Sequence, residues 1–242
     1  NTTFNQFAVG INRGAANSLI GVMDEFRAYD HALTDVEILG TMYVEPWPYA
    51  FSPSPDDGAI HDGTWVTLTW SPGDGAVSHD VYLGDNFEDV NNGAGHTFQG
   101  NQTTASLLAG FPGFAYPNGL VPGTTYYWRV DEVKADGTRY KSNVWSFWVA
   151  SKTAYRPTPP DGASYVFTDA DLSWSPGLDA ALHYVYFGGN ADDVNNAVGG
   201  LAQTNATYDP GPLVKKTTYH WRVDEFAGNE IRKGNVWSFT TL

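Results

Sequence analysis

One segment of this chain occurs twice. Residues 124–147 read TTYYWRVDEVKADGTRYKSNVWSF, and residues 217–239 read TTYHWRVDEFAGNEIRKGNVWSF. The match extends upstream, where residues 68–92 align with residues 172–196. A duplication of this length predicts two copies of one domain, and both copies must then fold to the same topology. We place module 1 at residues 46–151 and module 2 at residues 152–242, after a dissimilar segment of residues 1–45.

Within each module, short stretches of alternating apolar and polar residues are separated by turns rich in Gly, Asp, Asn and Pro. This pattern is typical of an antiparallel β-sandwich, and the alternation assigns the large apolar side chains to the inner faces of the sheets. The predicted inward residues are Val66, Leu68, Trp70, Val81, Leu83, Tyr126, Trp128, Val130, Trp145, Phe147 and Val149 in module 1, and Leu172, Trp174, Val185, Phe187, Tyr219, Trp221, Val223, Trp237 and Phe239 in module 2. Because the chain has no cysteine, tryptophan-rich cores must supply the stability that disulfides give other small domains.

The LTWSP and LSWSP motifs, with the spacing of Leu120, Pro122 and Tyr126, resemble the fibronectin type III family. Module 2 repeats this spacing, except that Lys215 takes the proline position. The resemblance implies an immunoglobulin-like sandwich with a tyrosine corner, in which the tyrosine hydroxyl bonds to the backbone just upstream. The YWRVDE sequence is similar to an aromatic-rich type found in bacterial secreted, carbohydrate-related or surface proteins. It therefore implies an extracellular or cell-surface location.

Residues 21–38, GVMDEFRAYDHALTDVEI, resemble the closing segment of laminin-G-like (concanavalin A-like) jelly rolls. We interpret residues 1–45 as the C-terminal remnant of such a domain, and we expect them to pack on module 1 or a neighbouring chain, because a few orphan strands cannot bury both faces alone. The Pro-rich stretches at residues 45–55 and 155–160 are predicted to be extended, stiff joints. The predicted fold class is all-β: two tandem immunoglobulin-like sandwiches plus an N-terminal partial jelly-roll segment.

The formal net charge of −14 disfavours nucleic acid and anionic membrane surfaces as partners, because both bind clustered Lys and Arg. The sequence contains no run of apolar residues long enough to insert into a membrane. Neutral or cationic partners fit this charge, and so does a divalent cation.

No catalytic residue is predicted. His79 and His183 occupy equivalent inward positions and are interpreted as structural histidines. Asp131 and Glu132 are adjacent acids, but neighbours on a strand point to opposite faces, so they cannot act as a convergent pair of carboxylates. Arg129 and Asp131 share the outward face, where an ion pair is the simplest explanation.

The segment at residues 85–92 concentrates oxygen ligands, which suggests a calcium site of low specificity formed by Asp85, Asn86, Asp89 and Asn92. The alternative is a short helical turn capped by an Asx side chain, since the spacing matches no EF-hand loop. No other cofactor is predicted.

Aromatic residues distinguish module 1 from module 2. Module 1 carries an insertion of 11 residues, assigned to residues 109–119, which brings Phe111, Phe114 and Tyr116 into a Gly/Pro/Asn loop. Tyr82, Tyr127 and Trp148 have outward parity, so we expect them to lie side by side on one exposed sheet face, with Asp80, Arg129 and Asp131 nearby. Flat aromatic rows stack on sugar rings while polar neighbours bond to hydroxyls. The alternative is that the patch is covered and forms an interdomain seam.

The sequence therefore predicts a non-catalytic accessory region of a secreted or cell-surface bacterial protein, which binds polysaccharide or cell-wall glycan through the exposed aromatic residues of module 1. The alternative function is a structural spacer that orients neighbouring domains of a larger protein. A glycan-active hydrolase is the least favoured alternative, because the chain contains neither a G-x-S-x-G nor an H-E-x-x-H motif.

Overall fold

The chain folds into two β-sandwiches of matching topology. The computed structural model describes Ala32 and residues 46–242, so the expectations for the jelly-roll segment lie outside the described residues. The strands of module 1 are β1 (Phe51–Ser54), β2 (Ala59–His61), β3 (Val66–Ser71), β4 (Ala76–Gly84), β5 (Phe98–Gln102), β6 (Ser106–Ala109), β7 (Thr125–Lys134), β8 (Arg139–Lys141) and β9 (Trp145–Val149). A short helix, α1 (Phe87–Asn92), and a 3-10 turn (Gly95–Thr97) connect β4 to β5.

Module 2 repeats these elements without the 3-10 turn. Its strands are β10 (Tyr155–Thr158), β11 (Ala163–Val166), β12 (Leu172–Ser175), β13 (Leu182–Gly188), β14 (Ala202–Gln203), β15 (Thr207–Tyr208), β16 (Thr218–Ala227), β17 (Glu230–Arg232) and β18 (Val236–Thr241), with helix α2 (Ala191–Asn196) after β13.

Each module contains a three-stranded sheet packed on a larger one. In module 1 the strand orders are β1-β3-β6 and β2-β9-β7-β4-β5, with β8 paired to β7. In module 2 they are β10-β12-β15 and β11-β18-β16-β13-β14, with β17 paired to β16. All pairings are antiparallel except β2 with β9 and β11 with β18. The prediction of an all-β fold with two immunoglobulin-like sandwiches is confirmed.

The predicted inward residues form the two cores. Trp128, Phe147, Val81 and Leu68 are fully buried in module 1, and Trp221, Val223 and Leu172 are fully buried in module 2. Both tyrosine corners are present: Val121 N–H donates to the Tyr126 hydroxyl at 3.0 Å, and Val214 N–H donates to the Tyr219 hydroxyl at 3.0 Å. The alternation of the sequence thus fixes which face of each strand is buried.

The two Pro-rich stretches, predicted to be extended, stiff joints, contain the first strands of the modules. These strands, β1 and β10, are extended but belong to the sandwiches, because they pair with β3 and β12 across a register irregularity. Proline lacks an N–H donor, but an edge strand bonds a partner on one side only and tolerates it there. The chain between the last strand of module 1 and the first of module 2 is therefore short, from Ala150 to Ala154.

A buried histidine pairs with a buried glutamate in each core. His79 Nδ1 lies 2.5 Å from Glu132 Oε2, whose other oxygen accepts the Gly73 N–H at 3.2 Å. His183 and Glu225 make the same pair in module 2. Both histidines are buried under tryptophans, which agrees with the structural role predicted for them.

Candidate functional site

Arg129 clamps helix α1 onto the outer face of the large sheet. Its guanidinium donates to the carbonyl oxygens of Val90 and Asn91 at the end of the helix, and it stacks 4.3 Å from the Tyr82 ring centroid. It also donates to Asp131 at 2.9 Å. Only 3% of the Arg129 surface is exposed, and its guanidinium is engaged within the module. Its predicted role in ligand binding stays untested. A parity argument assigned it to the outer face, but could not show that a helix covers that face.

The acids around this clamp are also engaged. Asp131 is buried, and desolvation raises its pKa above the ordinary 3.8, while the Arg129 charge opposes that rise. Asp80 accepts from Asn101 at 2.8 Å and from Arg139 at 2.7 Å. Module 2 repeats the clamp, with Arg222 held by Asp224 and donating to the carbonyls at the end of α2. The arginine clamp is therefore a structural device shared by both modules.

The predicted calcium ligands form the cap of α1. The Asn86 side chain accepts from the Asp89 N–H at 3.1 Å, as the capping alternative predicts. Asp85 and Asn92 are exposed, and within residues 46–242 no group of three or more His, Asp or Glu side chains is arranged to hold a metal ion. Calcium binding at Asp85, Asn86, Asp89 and Asn92 stays an untested prediction.

The three outward aromatic residues are not in ring contact with one another. Each ring contacts a different partner: Tyr82 contacts Phe98 at 5.2 Å between ring centroids, Tyr127 contacts Phe87 at 5.7 Å, and Trp148 contacts Tyr155 at 4.9 Å. The partners come from β5, α1 and β10, and strand parity alone could not place them. Ligand binding by the three residues as one aromatic face stays an untested prediction.

The insertion loop seals the core of module 1. Phe111 and Phe114 are exposed as predicted, but Tyr116 packs edge-on against Tyr126 at 5.0 Å between ring centroids. Tyr116 is partly buried against this core, and burial raises its pKa to about 12. Its predicted role in ligand binding stays untested. In module 2, which lacks the loop, a cavity of about 530 Å³ opens beside Phe187 and Tyr208.

The insertion is also divided between two places. Gln102 and Gln203 make the same turn, each donating to carbonyls two and four residues later, which aligns them with each other. Ten positions separate Asn92 from Gln102, whereas seven separate Asn196 from Gln203. The 3-10 turn therefore contains three of the additional residues, and the insertion loop contains the others.

A groove of about 530 Å³ opens beside α1 in module 1, and we call it the α1 groove. It is lined by Asp57, Phe87, Asn91, Lys141, Ser142, Asn143 and Val144. Phe87 is 44% exposed, and its ring contacts the predicted ligand residue Tyr127. Lys141 Nζ donates to Asn91 Oδ1 at 2.9 Å, and Asp57 accepts from the Ser146 backbone at 2.7 Å. The groove therefore combines an apolar ring with both donors and acceptors of hydrogen bonds.

Module 2 keeps four of the five polar residues that line this groove and loses its aromatic residues. Asp161, Asn195, Lys233 and Asn235 match polar residues of module 1, whereas Gly234 stands at the Ser142 position, Ala191 at the Phe87 position and His220 at the Tyr127 position. The aligned repeats already contained the Phe87 to Ala191 difference. Phe87 was not predicted as a ligand residue, because it lies in the segment interpreted as a calcium site.

Trp148 belongs to the contact between the modules. Its ring packs on Tyr155, and the two residues share a depression with Gly58, Ile60 and Arg156. Leu178 of module 2 packs against the core of module 1. The seam alternative thus describes Trp148 better than a place in an exposed row.

Strand order, the parallel pairing of the first and last strands of each large sheet, and the tyrosine corners define the chain as two tandem fibronectin type III-like sandwiches. No helix in residues 46–242 is long and apolar enough to cross a membrane.

Comparisons with known proteins name no family for the chain: no family model and no curated protein matches it. Among solved structures it is similar to the FN1–FN3 domains of chicken CNTN1, with 16% identity and a TM-score of 0.31 over 81% of this chain and 66% of that one. It is also similar to the CbhA fibronectin(III)-like modules of Clostridium thermocellum, with 16% identity and a TM-score of 0.31 over 78% of this chain and 93% of that one. The chain thus spans just under two thirds of the CNTN1 fragment.

Proposed function

We propose that this chain is a non-catalytic accessory region of a secreted or cell-surface bacterial protein, and that it binds polysaccharide through module 1. The observation that carries the proposal is the α1 groove, in which Phe87 and Tyr127 stand beside a rim of polar side chains. The resemblance to the YWRVDE type of module, and of residues 21–38 to the end of a laminin-G-like jelly roll, supports the same setting.

The chemistry of the groove suits a neutral or cationic sugar chain. An exposed phenyl ring stacks on the apolar C–H face of a pyranose, while carboxylate, amide and ammonium groups at the rim bond to hydroxyls. The net charge of −14 disfavours strongly anionic glycans. The groove does not offset this charge, since its one ammonium group, Lys141, is balanced by the carboxylate of Asp57.

Affinity electrophoresis tests the proposal. The chain is run in native gels that contain hydroxyethylcellulose, xylan or galactomannan, and a pull-down on insoluble cell-wall peptidoglycan completes the panel. Retardation by at least one glycan is expected. Phe87→Ala should weaken that interaction roughly three- to tenfold, because it removes one stacking platform.

Phe167→Ala is the matched control, since Phe167 is an exposed phenylalanine of module 2 outside the groove. It should migrate like the wild type in every gel. The proposal fails if no glycan retards the wild type, or if Phe87→Ala and Phe167→Ala behave alike while both remain folded by near-UV circular dichroism.

A second candidate function is a spacer that holds two modules in a fixed arrangement. The contacts of Trp148 with Tyr155 and of Leu178 with the core of module 1 favour it. Burial of aromatic and aliphatic side chains across a short connection opposes free rotation of the modules.

Small-angle X-ray scattering of the wild type and Trp148→Ala distinguishes this role from sugar binding. If the seam fixes the arrangement, Trp148→Ala should broaden the distribution of interatomic distances while glycan retardation stays unchanged. Identical scattering from the two proteins would refute a spacer role that depends on Trp148.

A further inference from the structure

A second depression adjoins the α1 groove. It has a volume of about 300 Å³, is lined by Trp47, Tyr49, Ala50, Lys141 and Asn143, and therefore shares two residues with the first. Trp47 is 55% exposed and Tyr49 is 36% exposed, so this depression presents aromatic surface to solvent.

Hydrogen bonds hold these aromatic residues in place. The backbone N–H of Trp47 donates to the Asp74 carboxylate at 2.9 Å, and the backbone N–H of Asp74 donates back to the Trp47 carbonyl at 2.8 Å. The Trp47 and Tyr49 rings meet edge-on at 5.2 Å, and Tyr49 packs on Tyr140 at 5.9 Å, both measured between ring centroids. A platform anchored in this way loses little conformational entropy when a ligand stacks on it.

The floor between the two depressions is fixed as well. Ala50 N–H donates to Ser142 Oγ at 2.8 Å, which ties the residue before β1 to the segment that lines the α1 groove. Lys141, whose Nζ donates to Asn91, and Asn143 stand where the two depressions meet. One polar pair can therefore serve ligand units on both aromatic platforms.

Module 2 has lost this second platform too. Repeat alignment places Ser151, the residue just before module 2, at the Trp47 position, Thr153 at the Tyr49 position and Arg232 at the Tyr140 position. With the changes to Ala191 and His220 included, five aromatic residues of module 1 are replaced in the second repeat by residues without a carbocyclic aromatic ring. Lys141 and Asn143, by contrast, recur as Lys233 and Asn235. The fold does not need these rings, since module 2 forms the same sandwich without them.

We infer that the two depressions form one extended site, which binds an internal stretch of a polysaccharide chain, with sugar units on Phe87 and on Trp47–Tyr49 and with Lys141 and Asn143 between them. The inference rests on the proposed function and specifies its ligand as a chain rather than a single sugar or a chain end. Two ring platforms separated by a shared polar pair match alternating apolar faces and hydroxyl edges along a glycan. A proline-rich peptide is the competing occupant.

Isothermal titration calorimetry of the full chain tests the inference with an oligosaccharide series of the best-retarding glycan, from the monosaccharide to the longest soluble member. Affinity should rise with chain length until both platforms are occupied. Trp47→Ala should weaken the long oligosaccharide roughly three- to tenfold and leave a short one, bound at Phe87, unchanged. Trp65→Ala is the matched control, because Trp65 is also 55% exposed and lies outside both depressions.

The outcomes separate the two proposals. Absence of binding to every glycan defeats the proposed function and the inference together. Binding that responds to Phe87→Ala but not to Trp47→Ala, and that does not increase with chain length, keeps the function and overturns the extended site. Tighter binding of a polyproline peptide than of any oligosaccharide, lost in both variants, would also overturn the inference by assigning the groove to a peptide.

Discussion

Removing the guanidinium of Arg129 should release helix α1 from the sheet. Three groups depend on that side chain: the carbonyls of Val90 and Asn91, and the buried carboxylate of Asp131. Arg129→Met keeps much of the apolar stem over Tyr82 but leaves an uncompensated charge inside the protein. Breaking a buried ion pair by removing one partner costs about 3–5 kcal/mol. For a module of this size, the midpoint of thermal unfolding should fall by on the order of 15 °C or more.

The loss should depend on pH in a known direction. The pKa of Asp131 in the folded protein is already above 3.8 because of desolvation, and Arg129 is the main group that lowers it. Without Arg129 the folded pKa rises further, so the folded state holds its proton more tightly than the unfolded state does. The contribution of Asp131 to the stability of the variant is then fully present below pH 3.8 and is lost as pH rises through the raised pKa. The deficit relative to the wild type should therefore shrink toward acid pH.

Urea unfolding followed by tryptophan fluorescence at several pH values measures this deficit. Lys215→Met is the control for loss of one positive charge, since Lys215 is exposed in module 2, and it should change the free energy of unfolding by less than about 0.5 kcal/mol. Because Phe87 lies on α1, Arg129→Met should also weaken retardation by glycan. A cost below about 1 kcal/mol, or a deficit that grows toward acid pH, would refute the clamp.

Three further substitutions test other contacts. Asp131→Asn removes the titrating carboxyl. In urea titrations, the free energy of unfolding of the wild type should fall relative to that of the variant as pH rises above 3.8. A rise of the wild type relative to the variant would contradict the raised pKa. Gly177→Ala would place a methyl group 2.3 Å from the Lys152 carbonyl oxygen and should cost about 1–3 kcal/mol of stability in thermal unfolding. Gly189→Ala meets no atom within 4 Å and should cost much less. Equal costs for the two variants would count against the close approach. Tyr126→Phe removes the acceptor of the tyrosine corner and should cost about 1 kcal/mol by chemical denaturation, and an unchanged midpoint would mean that the bond contributes nothing net.

The fold could be predicted from the sequence because the patterns that specify it, strand alternation and the tyrosine spacing, are local and occur in both repeats. Alternation in LTWSP and YWRVDE assigns Trp70 and Trp128 to the inside, and both are buried. The tyrosine spacing likewise predicts the bond that Tyr126 makes to the backbone. The first strands were missed, because proline content indicates an extended backbone but not the partner that an edge strand finds.

The site was less predictable because its residues come from elements distant in sequence. Outward parity is correct for Arg129, yet α1 folds back over it, and only the three-dimensional structure shows which outward side chains are covered. Phe87 shows the opposite: nothing in its segment, interpreted as a calcium site or a capped turn, predicted a ligand residue, yet its ring is exposed. That exposure depends on how the turn lies on the sheet. The insertion loop contributes exposed Phe111 and Phe114, as the sequence indicated, but its tyrosine closes the core.

The parallel pairing of β2 with β9, and of β11 with β18, has a mechanical consequence. Once the first strand of a module, β1 or β10, has been pulled from its sheet, force along the chain enters at the start of β2 or β11 and leaves at the end of β9 or β18. The parallel arrangement places those points at opposite ends of the pair, so the load acts along the strands and strains all of their hydrogen bonds simultaneously instead of opening them one at a time. A module built in this way should therefore resist extension along its chain.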